Sequence, residues 1–106
     1  MQTPIQITFR HMPPSEALRA RVLELLDRLE RFNGRVTSCR VVVEAPAGHQ
    51  RYGAPFEVKV DLQLPGHDLH VYSGEQTTAG HADVYTAVRD VFDALKRKLQ
   101  QLRPIN

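Results

Sequence analysis

The chain predicts an α+β fold: a two-layer β-α-β-β-β-α sandwich whose four-stranded mixed sheet runs in the order 1-2-3-4 with both helices on one face. Three observations lead there. Two stretches, 15–32 and 83–103, space their apolar residues at the three- and four-residue steps of an α-helix, while four others alternate apolar with polar residues. Alternating strands, unlike wholly apolar ones, leave one sheet face to solvent, so both helices share the other. A strand, a helix and a strand in succession form a right-handed crossover, which makes the first two strands parallel neighbours. The remaining strands then follow as an antiparallel meander.

Ile5, Ile7 and Phe9 alternate with Gln6, Thr8 and Arg10, so the first strand shows one face inward. Pro13 and Pro14 stop it, and Ser15 is a good N-cap. Leu18, Val22, Leu25, Leu26, Leu29 and Phe32 line the buried side of the first helix, with Asn33-Gly34 as its stop. In 37–45, Cys39, Val41 and Val43 point one way, and Ser38, Arg40, Val42 and Glu44 the other. The breaker-rich stretch 46–55 reads as a loop. Phe56, Val58, Val60, Leu62 and Leu64 form the clearest alternation; Pro65-Gly66-His67-Asp68 turns it back into Leu69, Val71 and Ser73, leaving His70 and Tyr72 outward. After a polar connection, Val84, Val88, Val91, Phe92, Leu95, Leu99 and Leu102 mark the inner side of the last helix, which Pro104 ends.

With 106 residues the chain is one domain, 1–106, long enough for a true core. No run approaches the roughly 20 apolar residues that cross a bilayer, and the N-terminus lacks the pattern of a secretory signal, so a cytoplasmic protein without membrane contact is expected. The single cysteine, Cys39, excludes an internal disulfide and a cysteine-based zinc motif, and reads as a small core residue. The net charge of +2 points only weakly to a polyanion, so the distribution of charge matters more than its sum.

That distribution is uneven. Along the first helix, Arg19, Arg21, Arg28 and Arg31 are matched by Glu16, Glu24, Asp27 and Glu30. In the last helix Arg89, Lys96 and Arg103 fall seven apart and so keep to one row, and no acid follows Asp93 while Lys96, Arg97, Lys98 and Arg103 do. Cations at a helix C-terminus suit its dipole; they also suit a nucleic-acid surface.

Three segments, ITFRHMPPSEALRARV, the strand ending in LPGHDLHV, and DVYTAV, resemble in their order and spacing the ribosome hibernation-promoting factors and ribosome-associated translation inhibitors in their short, single-domain form. The resemblance spans nearly the whole chain and implies the fold reached above. It also implies a non-enzymatic protein, without cofactor or small-molecule substrate, whose partner is the small ribosomal subunit and its rRNA. Such a wedge would occupy the mRNA and tRNA channel in stress or stationary phase, holding folded RNA by shape and phosphate contacts. By the resemblance Arg19, Arg28, Arg97 and Arg103 are the foremost rRNA contacts, joined by Arg89, Lys96 and Lys98, all gathered into one positive zone by folding. Asp83 is a helix cap and Tyr85 a packing residue. Leu25, Ala94 and Gln101 stand where lysine is common in the family, and a lysine-rich tail is absent.

Other residues carry weaker signals. Arg51 beside Tyr52 has the chemistry to stack on and neutralise RNA, and is equally ordinary for an exposed loop. Five histidines suggest no metal site, since His67 and His70, three apart on a strand, point to opposite faces. The open sheet face is left for a protein partner. Rival readings are an interaction module of the same fold without ribosome binding, a general binder of double-stranded RNA, and a small enzyme, for which no converging titratable groups are visible.

Overall fold

Each alternating stretch becomes a strand and each periodic stretch a helix in the computed structural model, which describes residues 4–32, 35–45, 56–73 and 83–102. In chain order these are β1 (Ile5–Arg10), α1 (Glu16–Phe32), β2 (Ser38–Glu44), β3 (Glu57–Leu64), β4 (His67–Tyr72) and α2 (Val84–Gln101). The sheet order is β1-β2-β3-β4. β1 runs parallel to β2, and the other pairings are antiparallel.

Register aligns the inward residues in rows: Ile7 faces Val41, Val41 faces Val60, and Val60 faces Val71. Onto these rows α1 packs Leu18, Val22, Leu25, Leu26 and Leu29, and α2 packs Val88, Val91, Phe92, Leu95 and Leu99, forming one core. Ser73 is buried in it, and its hydroxyl accepts a hydrogen bond from the Val58 N–H at 3.0 Å, so its burial is compensated.

Both helices start on side-chain caps. The Ser15 hydroxyl accepts from the Leu18 N–H at 3.1 Å, and the Asp83 carboxylate accepts from the Tyr85 N–H at 3.0 Å. Each stabilises its helix by about 1 kcal/mol. The hairpin between β3 and β4 is tighter than the sequence suggests, because only Pro65 and Gly66 form the turn and His67 already pairs with Leu64. Gly66 takes φ +81°, the sign that the third position of a type II turn after proline requires.

Two aromatics depart from expectation. Phe32, counted with the inner stripe of α1, is 43% exposed: at the last residue of the helix it meets Lys96 of α2 in place of an apolar side chain. Tyr85, expected to pack, is 41% exposed because it stands on the solvent side of α2, away from Val84 and Val88. The Asn33-Gly34 stop, the 46–55 loop, the 74–82 connection and Pro104 lie outside the described residues.

Candidate nucleic-acid interface

At about 100° per residue, burying Val88, Val91, Leu95 and Leu99 turns Arg89, Lys96 and Arg97 of α2 outward. Lys98 emerges near the helix end, in the row of the buried Val91. Lys96, Arg97 and Lys98 are all exposed, and none is ion-paired among the described residues. Lys96 sits 5.3 Å from the Phe32 ring centroid, a cation-π contact that ties the ends of the two helices together. Arg89 leans on Asp90 at 3.3 Å.

The cations of α1 are differently placed. Glu24 binds Arg21 at 2.9 Å and Arg28 at 3.1 Å, while Asp27 binds Arg31 at 3.0 Å. The hydrogen bond and charge of Arg21, with Arg28 adding to them, hold the Glu24 carboxyl below its ordinary range. Arg28 is thus paired at neutral pH, although exposed pairs of this kind contribute little stability and a phosphate can replace them. Arg28 precedes Phe32 by one turn and shares the flank that meets Lys96. Arg19, nine residues earlier and half-buried, lies about 180° around the helix and about 13 Å along it. The expected cations therefore form two groups: Arg28 beside the α2 set, and Arg19 apart. Arg103, Arg51 and Tyr52 lie outside the described residues.

Leu25 and Ala94, where the resemblance suggested lysine, are 8% and 4% exposed. A lysine there would have to reach out past core side chains, so their apolar identity follows from packing in this chain. Gln101 is exposed.

Sequence reasoning passed over the cations of the open sheet face. Arg40 stands opposite Asp61, and Asp61 opposite His70, whose Nδ1 lies 2.5 Å from the Asp61 carboxylate. With Gln6, Ser38 and Gln63 they line an open groove of about 350 Å³. The alternation places these residues outward, but only the register reveals that they share a row. Lys59 likewise lies 5.6 Å from the Tyr72 ring centroid.

Nucleophilic chemistry finds no support. Cys39 is 3% exposed, and burial, with the nearby carboxylates of Asp61 and Glu30, pushes its thiol up to about 12. Since the thiolate is the reactive form, native protein at pH 8 is expected to resist a thiol reagent such as Ellman's, with Cys39 reacting stoichiometrically only after denaturation. Among the described residues no group of three or more His, Cys, Asp or Glu side chains could hold a metal ion. His67 has the side parity of Leu69 and Val71, opposite to His70, as the three-residue step requires.

Comparison with known proteins gives this arrangement a context. The family model for Sigma 54 modulation protein / S30EA ribosomal protein matches residues 5–103. A ribosome hibernation promoting factor of Pseudomonas putida is 28% identical over 97 residues, covering 92% of this chain and 83% of that protein. A ribosome hibernation promotion factor of Deinococcus radiodurans is 29% identical over 100 residues, 92% of this chain. The chain spans about half, 48%, of that longer relative. In fold the chain is similar to a ribosomal subunit interface protein from Coxiella burnetii, at a TM-score of 0.74 and 19% identity over 93% of this chain and 96% of the other. It is similar also to the Protein Y N-terminal domain of Thermus thermophilus, at 0.75 and 20% identity over 96% and 100%.

Proposed function

Because the chain belongs to the Sigma 54 modulation protein / S30EA ribosomal protein family, we propose that it is a cytoplasmic ribosome-associated translation inhibitor that binds the small subunit through the cations of α2. The observation that carries this reading is the run Lys96-Arg97-Lys98: three adjacent exposed cations without an ion pair among the described residues, on a helix held rigidly by its apolar side. Phosphate oxygens are the natural occupants of such a surface. Arg28 and Arg89 extend it once rRNA phosphates displace Glu24 and Asp90. A rigid wedge in the mRNA and tRNA channel would exclude both ligands by its volume, which needs no catalytic group, and would act in stress or stationary phase, when idle ribosomes accumulate.

Co-sedimentation with small subunits across a salt series tests this. Binding is expected to weaken linearly in log affinity against log salt, with one unit or slightly less of slope for every phosphate contact. An affinity that ignores salt would sink the reading. A second reading, an interaction module that does not bind ribosomes, is favoured by the carboxylate pairing of Arg21, Arg28 and Arg31 and by the open sheet face as a protein-binding surface; it predicts no co-sedimentation. A general duplex-RNA binder would be displaced from ribosomes by any RNA helix. No helix among the described residues is long and apolar enough to cross a membrane.

A further inference from the structure

We propose that Tyr85 is a stacking platform for an unpaired RNA base, so that α2 takes looped or single-stranded RNA rather than a continuous duplex. The inference rests on the rRNA-binding reading above and specifies the class of RNA its surface receives. Tyr85 is 41% exposed on a helix that buries Val88, Val91, Phe92, Leu95 and Leu99, so its ring is not needed for the core. It is nevertheless held firmly. The Asp83 carboxylate accepts from the Tyr85 N–H and from the Thr86 hydroxyl, both at 3.0 Å, which fixes the first turn. Both carboxylate oxygens are thereby engaged with the helix start, where the dipole favours their charge. Asp83 is therefore turned toward the helix and not toward the strand of phosphates that the neighbouring cations would attract.

From Tyr85, Arg89 is four residues on and Lys96 eleven, so at about 100° per residue all three lie within about 40° of one line, over about 16 Å. An exposed ring followed in line by two cations matches a nucleic acid on both counts: the ring takes a base face and the cations take the backbone. Within a duplex the bases are stacked on one another and cannot reach the ring, whereas loops, bulges and ends present them. An acidic protein partner would match the cations but leave the ring without a planar counterpart. The Arg89–Asp90 contact, an exposed pair at 3.3 Å, is no obstacle to phosphate.

The test compares the full chain with Tyr85→Leu and Tyr85→Phe in small-subunit co-sedimentation over a salt series, with thermal melting of each and competition by oligouridylate or by an RNA duplex of equal phosphate count. Stacking predicts that Tyr85→Leu loses roughly 10-fold in affinity with an unchanged salt slope, that Tyr85→Phe binds as the parent does, and that oligouridylate competes better than duplex. Undiminished binding by folded Tyr85→Leu, equal loss in Tyr85→Phe, or better competition by duplex would each overturn it. A Lys96→Gln variant separates the two levels of argument: if it lowers the salt slope while Tyr85→Leu changes nothing, the charge-based reading stands and the stacking role falls. Absence of subunit binding by the parent chain removes both.

Discussion

Replacing Lys96 and Arg97 together by glutamate is expected to lower small-subunit affinity by roughly 100-fold and to reduce the slope of log affinity against log salt by about two, one for each phosphate that is no longer neutralised. Both side chains are exposed, so the doubly substituted chain should melt near the parent temperature, and the effect is then one on binding alone. The contrast with α1 sharpens the expectation. Arg31→Glu alters a residue already paired with Asp27 at 3.0 Å, so it should shift affinity far less than either α2 substitution. If the α1 charge dominates instead, the docking surface lies on the wrong helix. Filter or sedimentation binding at four or five salt concentrations measures both quantities at once.

The architecture was legible because two periods, 3.6 and 2, each recorded which side of an element is covered. Every strand and both helices lie within about two residues of their expected bounds, and Ser15 and Asp83 cap as their chemistry suggests. The cation surface was less legible, for a geometric reason. Arg19 and Arg28 both read as basic positions of one helix, yet nine residues at about 100° each set them on opposite flanks. Pairing adds a second difficulty: a sequence shows Glu24 near Arg21 and Arg28, but not that it binds both. Nor does periodicity distinguish a stripe residue over the core from one just past its edge, which is why Phe32 and Tyr85 stand further out than expected. The open sheet face shows the same limit, since alternation orients Arg40, Asp61 and His70 without disclosing that they are cross-strand neighbours.

Phe32 and Leu95 make that edge measurable. Both occupy apolar helical positions, but Leu95 is fully buried and Phe32 is 43% exposed under the Lys96 ammonium. Leu95→Ala removes a side chain from the layer where α2 meets the sheet and leaves a cavity, at a cost of about 3 kcal/mol. For a domain whose total stability is about 5–15 kcal/mol that is a large fraction, lowering the melting temperature by roughly 15 °C. Phe32→Ala gives up part of an exposed ring and a surface cation-π interaction, about 1–2 kcal/mol in all. Urea titration resolves the difference as a shift of midpoint at constant slope. The two also part in their effect on binding. Once folded, Leu95→Ala should bind the subunit with parent affinity, because it touches no exposed group. Phe32→Ala keeps the Lys96 charge and so keeps the salt slope, but it frees the side chain that the ring had held in place, and the order regained on binding then costs affinity. A Phe32→Ala chain destabilised as much as Leu95→Ala would place Phe32 inside the core after all.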